Sequence, residues 1–231
     1  MGSPRHSWLR ATTLFFLLAY GKISAQTFQF LPEVNAYSEI SPNLRFTFHA
    51  KETRDAGNPT QAEIGPGFDL YLRPLASLRR IAIVEPDKAT SRLLQFSAGF
   101  LYMPSPDKPH LERLTIAATP NLPLVARILF SDRNRTELDW SQGQFSWRYR
   151  NRAKFQRTFD IGSHHLTPYL SAEFFYLSQY RKWSTTALDA GCVFPTAKHF
   201  SVDLYYEHQN ITSRHPNQQL NQFGLILNLY F

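Results

Sequence analysis

Phe223-Gly-Leu-Ile-Leu-Asn-Leu-Tyr-Phe231 closes the chain. In an extended strand successive side chains point to opposite faces, so Phe223, Leu225, Leu227, Leu229 and Phe231 share one face. Gly224, Ile226, Asn228 and Tyr230 fall on the other. The apolar face is unbroken and ends on an aromatic ring. A soluble sheet seldom leaves such a strand bare, because an exposed apolar edge invites pairing with other chains. A transmembrane β-barrel accommodates it, with the last strand paired to the first and the terminal aromatic at the membrane interface.

The same two-residue period runs upstream and defines the expected strands. They cover residues 28–38, bent at Pro32, then 44–53, 63–72, 93–103, 111–119, 124–140, 145–156, 165–178, 182–194, 199–209 and 219–231. Gly65-Pro66-Gly67 marks a bulge or bend. Turns are expected at Pro120–Pro123 and at 141–144. Eleven strands are clear, and single-chain bacterial barrels hold even numbers. A further strand is therefore expected in 75–90, around Leu78–Val84. The expected fold is an all-β, antiparallel transmembrane β-barrel of about 12 strands, with 10 as the alternative. In that setting the ending resembles the carboxyl-terminal insertion signal of outer-membrane barrels, carried by Phe223, Gly224, Leu227, Leu229 and Phe231. A soluble sandwich or lipocalin-like barrel would instead turn its apolar face inward.

At the other end, Arg5 and Arg10 precede the apolar run Ala11–Tyr20, with small residues before Ala25. This reads as a secretory signal over residues 1–25, too short for a membrane-spanning helix. The barrel domain is then 26–231, located in the outer membrane of a Gram-negative cell. The chain carries 25 Lys and Arg against 18 Asp and Glu. Loss of Arg5, Arg10 and Lys22 with the signal leaves 22 against 18, a modest excess. Mean hydropathy is −0.34 despite 43% hydrophobic residues, as alternation in a barrel requires. No motif for nucleic acid is present. Cys192, the single cysteine, has no intramolecular partner and reads as a small hydrophobe on the apolar face of its strand.

The densest charge lies in Ser131–Asp139 and Trp147–Arg152. Arg133, Arg135, Glu137 and Asp139 share one strand face; Arg148, Arg150, Arg152 and Lys154 share one face of the next strand. A hairpin closed near 141–144 sets these rows side by side within salt-bridging reach, and Glu173 on the following strand adds an acid. Arg or Lys on the lipid side costs about 2–4 kcal/mol at the midplane, so the rows belong in the lumen. There they form either an ion-pair lattice that fills a narrow barrel or a constriction that attracts anions.

Asp132-Arg-Asn-Arg-Thr-Glu137, Arg148-Tyr-Arg-Asn-Arg152 and Pro168–Tyr176 together resemble a family of uncharacterised Gram-negative outer-membrane barrels, known only as a domain of unknown function. The resemblance runs from about Phe28 to Phe231, departs from the pattern at Leu138-Asp139, and implies a barrel without implying a reaction. Some small barrels hydrolyse or transfer lipid acyl chains, which needs a nucleophile, a base and an orienting group. His164, His165, His199, His208 and His215 are scattered, without a serine at a matching spacing. No zinc or calcium ligand spacing is present. The expectation is a structural or permeability protein of the outer membrane, without catalysis, metal or cofactor. Its partners would be outer-membrane lipids, lipopolysaccharide and, during insertion, the barrel-assembly machinery. The alternatives are a narrow anion-preferring pore and a lipid-modifying hydrolase or acyltransferase.

Overall fold

The structure, a computed structural model, describes residues 27–72, 93–161, 164–213 and 217–231. Twelve strands follow one another: β1 (Thr27–Ser41), β2 (Leu44–Asp55), β3 (Asn58–Leu72), β4 (Leu94–Met103), β5 (Leu111–Pro123), β6 (Ile128–Ser141), β7 (Gln144–Arg157), β8 (Phe159–Ile161), β9 (His164–Leu177), β10 (Lys182–Ala197), β11 (Phe200–Ile211) and β12 (Gln218–Tyr230). Eleven of them close into a barrel in chain order, and β8 stands outside as a short partner of β9. The all-β barrel of about 12 strands is therefore present. Its twelfth strand is β8; the one expected within 75–90 lies outside the described residues, as does the signal expected in 1–25.

Closure corrects one expectation. β1 and β12 pair in parallel, from Thr27 opposite Leu220 to Tyr37 opposite Tyr230, so the barrel is mixed rather than wholly antiparallel. Parity is the reason: eleven strands that alternate in direction leave the first and last pointing the same way. Parallel neighbours ordinarily need a crossover connection, but here the partners lie at opposite ends of the sequence. Thr27 and Phe231 consequently stand at opposite ends of the barrel, not at one end as two termini of an even barrel would. The seam is well stitched. Tyr37 and Tyr230 stack with centroids 5.2 Å apart, Gln222 donates to Gln29 at 2.6 Å, and the Phe231 amide donates to the Tyr37 carbonyl at 2.9 Å.

Two local expectations also change. β5 runs through Pro120 to Pro123, and the turn falls later, at Leu124–Arg127, where Ala126 and Arg127 take positive φ. Gly65-Pro66-Gly67 makes no bulge, because register against β2 is unbroken there. Instead a Cβ at Gly65 would overlap the Phe100 carbonyl of β4; the glycine permits a close backbone approach.

The polarity of the walls is the reverse of a soluble sheet protein. Phe68, Phe100, Phe145, Phe155, Leu170 and Leu188 are exposed on the outside, whereas Glu137 and Glu173 are 0% exposed inside. Asp69, Arg113, Asp139, Asp189, Asp203 and Glu207 are buried with them. Among the described residues no helix is long and apolar enough to cross a membrane.

Glycine makes room for aromatic rings inside. A Cβ at Gly224 would overlap the Tyr205 ring, and one at Gly191 would lie 2.5 Å from the Tyr169 ring. Both tyrosines lie flat against the wall because the neighbouring strand has no side chain there. Gly224→Val is expected to destabilise the barrel by about 1–3 kcal/mol through overpacking. Urea titration of the folded protein checks this, and Tyr205→Leu in the same chain should restore part of the loss.

Candidate functional site in the barrel lumen

The β6–β7 hairpin turns on Gln142 and Gly143, with φ of 50° and 75°. Positive φ at both central residues is the twist that two-residue hairpins favour. The turn fixes the register: Glu137 opposes Arg148, Arg135 opposes Arg150 and Arg133 opposes Arg152. Two of those pairs set like charges face to face, which is destabilising in isolation. Two carboxylates resolve the conflict.

Glu137 is approached by Arg148, by Arg150 at 3.1 Å, by Arg135 at 2.8 Å and by Arg113 at 3.6 Å. Glu173 enters from β9 directly opposite Arg152. It accepts from Arg152 at 2.8 Å, from Arg150 at 2.8 Å and from Arg133 at 3.2 Å. Arg150 therefore bridges both acids, and its guanidinium also lies 4.4 Å over the Phe175 ring. Arg113 forms a two-pronged pair with Asp139, at 2.6 and 3.0 Å. Such forked, charge-assisted contacts are the strong ones among hydrogen bonds. Lys154 stands apart, its Nζ 3.8 Å from the centre of the Tyr169 ring. The Tyr169 hydroxyl donates onward to Asp203 at 3.0 Å.

Among the described residues, two cavities lie in the lumen. One of about 540 Å³ lies on the side of the 142–143 turn and includes Arg148, Arg150, Arg152, Lys154, Asp189, Asp203 and Glu207 in its lining. The other, of about 270 Å³, lies towards the opposite rim beside Tyr37, Arg45, Asp69 and Ser97. Arg133 and Arg135 are the residues common to both linings. Both cavities therefore reach the side chains of Arg133 and Arg135.

All eight residues of the charged rows, and Glu173 as the ninth, reach one lumen. Of the five C-terminal positions, Phe223, Leu227 and Leu229 are on the outer face, Gly224 lies inside under Tyr205, and Phe231 is 76% exposed at the rim. Arg113 is a member of the cluster that sequence reasoning missed. A turn centred on Asn121 and Leu122 would set Arg113 opposite Phe130; the true turn sets it opposite Asp139. The acids Asp189, Asp203 and Glu207 on β10 and β11 belong to the site as well. Their inward parity was legible, but that they line one cavity with the arginine rows depends on the curvature of the β7–β9–β10–β11 wall.

Among the described residues the histidines do not gather. His165 bonds Asp160 at 2.6 Å, His199 bonds the Tyr230 carbonyl at 2.7 Å and His208 bonds Asn221 at 2.8 Å. Nor, among the described residues, do three or more His, Cys, Asp or Glu side chains assemble as a metal site.

Residues 87–220 match the family described as a protein of unknown function, DUF2490. The chain belongs to that family. The DUF2490 match takes in β4 to β11 and the start of β12, and so includes the whole charged hairpin and Glu173. It is narrower than the resemblance over Phe28–Phe231, leaving β1 to β3 beyond its bounds. No match was found among curated proteins or among solved structures. The DUF2490 description names no reaction.

Proposed function

We propose that this DUF2490 chain is an outer-membrane β-barrel with a structural or permeability role, its lumen closed by the Arg/Lys–Glu/Asp network and without a catalytic centre. The observation that carries the reading is the inversion of polarity: aliphatic and aromatic side chains cover the outer wall while fully buried carboxylates and arginines fill the inside. In hydrocarbon that arrangement is the favourable one. A band of rings supports it. Trp147 and Tyr176 lie 5.5 Å apart, Tyr176 and Trp183 5.8 Å, and Trp140 and Phe145 5.5 Å, all close to one rim. Such girdles sit at membrane interfaces. The partners are then outer-membrane lipids and lipopolysaccharide, reached after export through the signal in residues 1–25 and insertion by the assembly machinery.

Refolding into phospholipid vesicles should give a heat-modifiable band in electrophoresis and co-flotation with lipid. A protein that stays in the aqueous fraction without detergent would overturn the membrane placement. In planar bilayers the closed lumen predicts no steady current. The anion-preferring pore is the second reading, favoured by the arginines common to both chambers, and steady anion-selective openings would put it first.

A further inference from the structure

The charges of the lumen are unevenly matched. Six guanidinium groups, on Arg113, Arg133, Arg135, Arg148, Arg150 and Arg152, share three carboxylates, Glu137, Asp139 and Glu173. Glu63 of β3 lines the larger cavity within electrostatic reach of Arg113 and Arg148 and offsets only part of the remaining positive charge. In the same 540 Å³ cavity, on β10 and β11, which β9 separates from β7, Asp189, Asp203 and Glu207 are 6–7% exposed. Their hydrogen bonds come from neutral groups: Ser171 to Asp189, Tyr169 to Asp203 and Gln209 to Glu207. Among the described residues no lysine or arginine forms an ion pair with any of the three. Asp189 stands directly opposite Glu207 in the β10–β11 ladder, so the acids crowd one another.

Orphaned atoms fall on the same two walls. Arg133 Nε, Arg135 Nε and Asp189 Oδ1 are buried without a hydrogen-bond partner, and all three residues line this cavity. Arg135 Nε is near Glu137 by distance, but its N–H is not aimed at the oxygen. Buried donors and acceptors without partners are costly, and uncompensated buried charge is costlier still. An anion alone would answer only the arginines, and a cation only the acids. A molecule bearing both would answer both, since the β6–β7 and β10–β11 walls of one chamber carry the opposite charges.

We infer that the larger chamber binds a small zwitterion, its oxyanion held by Arg133 and Arg135 and its ammonium group by Asp189 and Glu207. The Tyr169 ring lines the same chamber, with Lys154 on its face and Asp203 at its hydroxyl. A cavity of this size falls within the range of small-molecule sites. The inference needs the closed lumen and does not rest on the membrane placement.

Calorimetry on the barrel folded in detergent micelles tests it with three probes: phosphoethanolamine, inorganic phosphate and ethanolamine. The zwitterion should bind at least tenfold more tightly than either of the others. Asp189→Asn with Glu207→Gln should abolish its advantage over phosphate while leaving phosphate binding in place. If the three probes bind alike, or none binds, the inference fails. It also fails if the double variant keeps the advantage. Should that variant not fold, the comparison on the unaltered protein decides. Competition by a short-chain phosphatidylethanolamine as strong as that of the free compound would assign the site to a lipid head group; competition by the free compound alone would assign it to a soluble zwitterion. A failed binding test leaves vesicle insertion and conductance unaffected, so the two readings fall separately.

Discussion

Glu173→Gln is expected to lower stability by about 3–5 kcal/mol, the cost of leaving buried cationic partners without their counter-charge. Glu173 is 0% exposed and receives Arg133, Arg150 and Arg152. Its loss sets Arg133 and Arg152, opposed in the β6–β7 ladder, against each other with nothing between them. The change should appear as a lower denaturant midpoint and a lower temperature of the heat-modified transition. Arg152→Met should cost less, because Glu173 keeps two partners and the repulsion with Arg133 is relieved. Combining Arg152→Met with Glu173→Gln should recover part of the single-variant loss, since coupled neighbours are not additive. Glu112→Gln, at an exposed position, serves as the control and should stay within about 0.5 kcal/mol. Equal midpoints for Glu173→Gln and the control would mean that the cluster does not hold the barrel together.

Much of this fold was legible because strand alternation is local. Arg148, Arg150, Arg152 and Lys154 announce an inward face whatever surrounds them, and the hairpin at 141–144 fixes their neighbours through a two-residue turn. Phe223 to Phe231 likewise marks the last strand. What failed was either chiral detail at a turn or a property of the whole ring. Pro120 and Pro123 look like turn residues, yet each takes its place in β5 and the chain reverses at Ala126 and Arg127 instead. That shift changed the partner of Arg113 and hid it from the charge cluster. β8, three residues long, is too short to show a period. The parallel seam follows from the strand count alone, and nothing in the sequence of β1 or β12 states its direction. The acids of β10 and β11 were likewise legible as inward residues but not as lining one cavity with the arginines.

Replacing both Arg133 and Arg135 with Ala is expected to turn a silent barrel into a conducting one. These two residues are shared by the linings of the chambers, so truncating both widens the cavities of about 540 and 270 Å³ at a place they have in common. Their removal leaves the remaining pairs standing. Glu137 keeps Arg113, Arg148 and Arg150, and Glu173 keeps Arg150 and Arg152. The double variant should therefore fold, which heat-modifiable mobility verifies before any current is recorded. In planar bilayers it should show steady openings where the unaltered protein shows none. Under a salt gradient the reversal potential should favour anions, because Arg148, Arg150, Arg152 and Lys154 still line the path and arginine or lysine rings select for anions. A folded but silent variant would move the closure away from Arg133 and Arg135. Equal conductance before and after the change would show instead that the lumen was open from the start, and that the arginines line a pore rather than seal one.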